Sequence, residues 1–276
     1  MSKVIPIPKS GKPEKEILLG EKAGFCMGVK NAVEQAKKEV EKQSITYCLG
    51  ELTHNPEVMK NLEEKGLRVI EDLSQIPNPK GKKVIFRAHG VTKQVYEEAK
   101  KLGLEIVDLT CPNVLAIHKI AEQAVKEEKD IFLIGEKKHP ETIGTASFCG
   151  KNHFVIETQE DLQQETQQYL AQVEKNANSR KLVILSQTTF HLEKFKEFEN
   201  QIQEKLANKV EIEVRNTICK ATRLRQEETM DLAKQVEYMI IIGGRKSSNT
   251  NKLFQIALQN CAHAVMIENE KELSEE

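Results

Sequence analysis

Three cysteines in this chain share a position that a purely structural thiol has no reason to occupy. Cys26 in "GFCMGVKNAV", Cys111 in "DLTCPNVLAIHK" and Cys219 in "NTICKATRLR" each lie between a strand-like run and a helical-looking stretch. A glycine follows each of them after 24 residues (26 to 50, 111 to 135, 219 to 243), and four residues further on come His54, His139 and Ser247. Later strand ends carry His89 in "VIFRAHGV" and Thr188 with Thr189 in "LVILSQTTF". In α/β sheets, ligands gather outside the carboxyl ends of the strands, so these groups are expected to converge on one cavity. Helix N-termini pointing into it would lower thiol pKa values and favour anions.

The residue types then suggest chemistry. Three thiolates suit a [4Fe–4S] cluster with one iron left open to substrate, whereas an electron-transfer cluster normally has four cysteine ligands. Zinc in a Cys₃ site is the alternative, with no obvious fourth structural ligand. His54, His89, His139, Ser247, Ser248, Asn249 and the helix N-termini form a donor-rich lining suited to a phosphate or diphosphate. There is no P-loop and no GxGxxG, so a nucleotide is not the obvious ligand. Glu141 in "HPETIG" is the one carboxylate in this set, and burial near an electron-rich cluster and an anion would raise its pKa and suit it to proton donation.

Taken singly, each feature has a plainer explanation. His-Pro is a common turn, and "SSN" after a strand often only caps a helix. Recurrence at one position of a repeated unit, beside the junction cysteines, is what favours function. His118, His153, His191 and His263 lack that placement and are read as structural. Cys48, Cys149 and Cys261 are read as buried small hydrophobes.

The elements that must position these residues follow from the hydrophobic pattern. Short apolar runs such as "VIFRA", "DIFLIG" and "LVILS" alternate with amphipathic, charge-rich segments, which argues for α/β architecture with mostly parallel sheets. The repeat divides the chain into three similar α/β domains: 29–111, 112–215, and 17–28 together with 216–276. Residues 1–16 read as a flexible polar extension, and "VEKNANSRK" (173–181) as a polar loop. His89 lies 39 residues after Gly50, and its counterpart after Gly243 would fall near position 282, so the third domain is expected to be incomplete.

Bulk properties narrow the class. The 276 residues carry 41 Lys plus Arg against 42 Asp plus Glu, so no basic field announces nucleic acid. No 18-residue apolar run suggests a membrane span, and the amino end has no signal-peptide core. The expected setting is the cytoplasm, where six reduced cysteines, none in a CxxC pair, favour a metal or catalysis over disulfides.

Several stretches together resemble the 4-hydroxy-3-methylbut-2-enyl diphosphate reductases of the non-mevalonate isoprenoid pathway. They are "AGFCMGVKNAV", "GELTHNPEV", "VIFRAHGV", "VDLTCPNV", "HPETIGT", "SQTT", "NTICKAT" and "RKSSNTNKL", in that family's order over about positions 17–258. The resemblance implies three α/β domains arranged pseudo-threefold around one [4Fe–4S] cluster per chain, held by Cys26, Cys111 and Cys219. It implies diphosphate contacts at His54, His89, His139, Thr188, Ser247, Ser248 and Asn249, with Glu141 as proton source and Thr188 in the hydroxyl-bearing network. The implied reaction is reductive loss of the substrate hydroxyl by a monomer, with electrons from a ferredoxin or flavodoxin and an allylic diphosphate as substrate. The family's pattern continues into a further strand with a "TAGAST"-like loop, which nothing after Glu268 matches, so the chain is expected to be a fragment. A non-catalytic iron–sulfur or metal-binding sensor derived from this fold, and a family reductase with another substrate, are the alternatives.

Overall fold

The computed structural model describes residues 3–6, 16–42, 45–175, 181–206 and 208–273. They fall into two contact-dense units, one running from Met27 to Cys219 and the other joining the residues up to Cys26 to those from Lys220 onward.

The larger unit contains two parallel four-stranded sheets. In the first, β3 (Thr46–Leu49) and β5 (Lys83–Phe86) are central, flanked by β4 (Leu67–Ile70) and β6 (Glu105–Asp108), in the order β4-β3-β5-β6. In the second, β7 (Asp130–Ile134) and β9 (Lys181–Ser186) are central, flanked by β8 (His153–Ile156) and β10 (Glu211–Val214), in the order β10-β9-β7-β8. The two orders are the same topology. Strand β3 matches β7, β4 matches β8, β5 matches β9 and β6 matches β10.

The central strands β3 and β7 are buried along their whole length, as expected of parallel strands covered on both faces. Helices α1 (Met27–Lys42) and α2 (Pro56–Glu64) cover one face of the first sheet, where Ala36, Cys48, Leu62 and Ile85 pack. Helix α3 (Lys93–Lys101) contributes Ala99 to the opposite core with Phe86 and Val84. In the second sheet, α4 (Pro112–Lys126) and the helix-terminal Cys149 pack against Ile131, Leu133 and Leu185. The other face is filled by Phe132, Tyr169, Phe195 and Phe198, carried in part by α6 (Gln159–Lys175) and α7 (Leu192–Leu206).

The smaller unit pairs β11 (Tyr238–Ile242) with β12 (His263–Ile267) in parallel, with α8 (Lys220–Ala233) packed on α9 (Ser248–Asn260). This pair repeats the β3–β4 part of the first sheet: a helix after the cysteine, a strand, the spaced glycine, a second helix and a parallel strand.

Two sequence expectations need correcting. The amino end is not wholly an unstructured lead-in, because β1 (Lys3–Pro6) forms a strand; residues 1–2 and 7–15 of that extension lie outside the described residues. The strand β2 (Glu16–Leu19), at the start of the 17–28 segment assigned to the third domain, pairs antiparallel with β1 and does not join the β11–β12 sheet. Gly20 follows it, and the chain turns away there instead of extending to Cys26. The centre of the 173–181 link, 176–180, also lies outside the described residues, and its start is the last turn of α6.

Candidate active site

The strand order of each four-stranded sheet reverses between its two central strands, and such a switch point opens a crevice at their carboxyl ends. His54 follows β3 and His89 follows β5, the two central strands of the first sheet. His139 with Glu141 follows β7, and Thr188 follows β9, the central strands of the second. The switch point thus explains why these loops, and not others, carry the candidate residues.

The three histidines of the larger unit come together. The His54 and His89 rings stack with centroids 4.4 Å apart, and His139 meets them edge-on at 6.0 and 5.4 Å. Their ligand-type nitrogens all lie within 4.8 Å of one another, a separation at which three imidazoles could also hold a metal ion. His139 decides between the two uses. It caps α5 (Pro140–Ala146), its Nδ1 accepting the Glu141 N–H at 3.1 Å. An Nδ1 that accepts must be unprotonated, so in the neutral ring the proton sits on Nε2, which is then a donor. That tautomer opposes metal ligation through Nε2 and favours an anionic oxygen. Burial, then the neighbouring His54, His139 and Arg87, holds the His89 pKa well below the usual imidazole range, so this ring too is neutral near pH 7. Glu51 lies 3.6 Å from His54 Nδ1.

Glu141 sits in the first turn of α5, fully enclosed. Desolvation pushes its carboxyl pKa up to about 7, against the opposing pull of two hydrogen bonds from Thr188. The Thr188 backbone N–H donates to Oε1 at 2.5 Å and its hydroxyl donates to Oε2 at 2.6 Å. A carboxyl group held near neutrality and gripped on both oxygens is suited to giving up a proton at physiological pH.

Gln187 was not singled out in the sequence, and it ties these loops together. Its carbonyl oxygen accepts from the Glu136 N–H at 2.9 Å and from Thr142 Oγ1 at 3.3 Å, while its amide donates to Thr189 Oγ1 at 2.8 Å. Gly135 makes room for this closure: a Cβ there would stand 2.8 Å from Thr142 Oγ1 and 3.0 Å from Gln187 Cβ. The signal available in sequence was Gln187's place between a strand and two threonines, which alone is too common to select it.

The three repeat cysteines all stand one residue ahead of a helix, half-buried and outside any disulfide: Cys26 before α1, Cys111 as the N-cap of α4 and Cys219 before α8. In the larger unit the backbone binds two of them to the site loops. The Cys111 N–H donates to the Ala88 carbonyl, next to His89, at 2.9 Å, and the Cys219 N–H donates to the Thr188 carbonyl at 3.0 Å. Cys26 is approached through a turn clamped onto α8, where Glu228 accepts from the N–H groups of Glu21 and Lys22, and Arg225 donates to the carbonyls of Lys22 and Gly24.

Of the remaining cysteines, Cys48 and Cys149 are buried as expected, whereas Cys261 is half-buried and so is not the buried small hydrophobe the sequence suggested. Burial pushes the thiols of Cys48 and Cys149 up to about 12, and Cys149 donates to the Thr145 carbonyl. Cys261 follows α9 and faces the carbonyls of Val236, Glu237 and His263. His118 is buried against Phe148, the rings stacked at 4.2 Å.

Ser247, Ser248 and Asn249 lie in the smaller unit at the start of α9. Ser247 caps the helix by accepting from the Thr250 N–H, Ser248 is buried, and Asn249 Oδ1 is sealed from solvent without a hydrogen-bond partner. A buried acceptor left open in this way is costly unless something else supplies a donor.

Together these features define an α/β protein with a clustered histidine triplet, a buried carboxyl gripped by a threonine, and thiols at helix starts. Over residues 17–276 the chain matches the family described as LytB protein, and it belongs to that family. Its curated relatives include the 4-hydroxy-3-methylbut-2-enyl diphosphate reductase of Caldanaerobacter subterraneus subsp. tengcongensis, 42% identical over 262 residues, or 94% of this chain and 86% of the relative. The enzyme of the same name from Clostridioides difficile is 39% identical over 93% of this chain and 87% of its own length. Among solved structures, the Plasmodium falciparum E-1-hydroxy-2-methyl-but-2-enyl-4-diphosphate reductase superposes with a TM-score of 0.78 at 30% identity, covering 91% of this chain and 76% of that one. A second, described as the terminal enzyme of the non-mevalonate pathway, gives 0.66 at 37% identity over 93% of this chain and 86% of its own. Among the described residues no helix is long and apolar enough to cross a membrane.

Proposed function

We propose that the chain reduces 4-hydroxy-3-methylbut-2-enyl diphosphate to isopentenyl and dimethylallyl diphosphate, as its relatives' name describes. The observation that carries this reading is Glu141: an enclosed carboxyl with its pKa raised to about 7 and gripped by Thr188, two residues from a histidine whose Nδ1 accepts its backbone N–H. In this reading His54, His89 and His139 offer N–H groups to the diphosphate, and Thr188, Ser247, Ser248 and Asn249 add further polar contacts.

The donor set fits the iron–sulfur cluster used by the family. Cys26, Cys111 and Cys219 are half-buried thiols at helix starts, unlike the fully buried Cys48 and Cys149. These three would hold a [4Fe–4S] cluster, which when bound supplies the two electrons of the reaction. Loss of the allylic hydroxyl as water consumes two protons and two electrons, with one C–O bond broken and one C–H bond formed. Glu141 delivers a proton to the departing hydroxyl, and Thr188 holds the carboxyl in place for that transfer. The electron donor proposed is a ferredoxin or flavodoxin, in a cytoplasmic setting and with the chain acting as a monomer.

The test is an anaerobic assay of the purified chain with the diphosphate substrate and a chemical reductant. Both C5 diphosphates should form, and the protein should carry about four iron and four sulfide per chain. One zinc with no sulfide, or no turnover by cluster-loaded protein, would reject the reading.

A further inference from the structure

Two of the three histidines are neutral by construction: His139 because its Nδ1 must accept the Glu141 N–H, and His89 because it is enclosed beside its neighbours. Neutral imidazoles orient a diphosphate but do not balance its charge, and a buried anion needs a nearby cation. The residue that meets this need is Arg87, two positions before His89.

Arg87 leaves the carboxyl end of β5 and runs beneath the turn that starts at Gly50, four residues before His54. Gly50 adopts φ +71°, a backbone conformation that favours glycine, and the space a Cβ would take there is filled by the Arg87 guanidinium. Arg87 is half-buried, and its Nε is sealed from solvent with no hydrogen-bond partner. Glu71 and Glu51 are the carboxylates whose fields reach it. Its own field reaches His89, where it opposes protonation. A fixed charge that disfavours an imidazolium at a given place favours an anion at the same place.

We propose that Arg87 is a positioning residue that supplies the permanent positive charge of the diphosphate site, acting from below the His54 and His89 loops. This rests on the diphosphate reading above and adds the source of its charge. A half-buried guanidinium whose Nε has no hydrogen-bond partner costs stability in the free protein and recovers it when the anion arrives, which biases the site towards multiply charged ligands over neutral alcohols.

The probe is inorganic pyrophosphate, titrated against the cluster-loaded protein and the variants Arg87→Met, Arg87→Lys and His89→Ala. Arg87→Met keeps the volume and removes the charge. It should weaken pyrophosphate binding about tenfold or more and raise the KM of the substrate similarly, with kcat within about threefold. Arg87→Lys should restore most of the affinity, and in Arg87→Met the His89 imidazole should titrate at higher pH by NMR. A packing role alone would leave the lysine variant as poor as the methionine one and the His89 titration unmoved, and that result overturns the proposal. Wild-type affinity in Arg87→Met also overturns it. If His89→Ala weakens binding while Arg87→Met does not, the Arg87 assignment alone falls. If the wild type does not bind pyrophosphate, the diphosphate reading falls with it.

Discussion

Glu141 shows how a single residue's role depends on its surroundings more than on its type. Burial raises its pKa and Thr188 pulls it back, leaving it at about 7. In the proposed role the protonated acid is the active form, so turnover should fall as pH rises through about 7. Glu141→Gln should lower kcat by roughly 100-fold or more and abolish that descending limb, while leaving pyrophosphate affinity near wild type. Thr188→Val removes a bond that stabilises the carboxylate, so the descending limb should move to higher pH, with kcat reduced about tenfold; a limb that stays in place would remove Thr188 from the protonation equilibrium. The spacing of His54, His89, His139 and Glu141 was legible in the sequence because each sits at a repeated offset or strand end. Gln187 and Arg87 were not legible, because their importance lies in what passes close to them. The crowding at Gly135 and the guanidinium under Gly50 are facts of packing, with no periodicity to announce them.

At the scale of elements, the sequence pattern carried the parallel sheets well, because fully buried strands read as unbroken apolar runs. It carried the amino end poorly: "KVIP" is too short and too close to lysine and proline to read as a strand, and only its pairing with β2 makes it one. Helix α1 illustrates what pattern alone omits. Its Glu39 is buried, yet it accepts from Lys42 at 2.8 Å and from Lys83 of β5 at 2.9 Å, fixing the helix to the sheet. Those two hydrogen bonds hold its pKa at about 2. A carboxylate depressed in the folded state stabilises the fold above its unfolded pKa, and that contribution is lost as pH falls from about 4.5 towards 2. Glu39→Gln should therefore cost on the order of 2 kcal/mol at pH 7. It should also flatten the acid dependence of stability over that window, read from denaturant midpoints at several pH values. An unchanged acid dependence would assign the ion pairs no part in holding α1.

For the whole molecule, the unusual feature is where the three repeat cysteines lie along the chain. Cys111 and Cys219 belong to the larger unit and Cys26 to the smaller. The repeat made the equivalence of the three cysteines readable, but not what holds each one. Cys111 and Cys219 are tied by backbone bonds to the loops of β5 and β9, whereas the approach to Cys26 depends on two side chains of α8. Arg225 and Glu228 are more than 200 residues away in sequence from the turn they clamp, a separation that local patterning cannot reveal. If Cys26 is a ligand, that clamp supports a metal site, and groups behind a ligand commonly contribute tenfold or more to metal retention. Arg225→Met should therefore lose iron on exposure to air roughly tenfold faster than wild type, with the melting of the cluster-free protein little changed. Arg223, two residues earlier on the same helix, faces Glu227 at 4.0 Å and does not reach the turn, so Arg223→Met serves as the matched control. Iron loss at wild-type speed in Arg225→Met, or equal acceleration in both variants, would mean that the turn before Cys26 has no special part in holding the cluster.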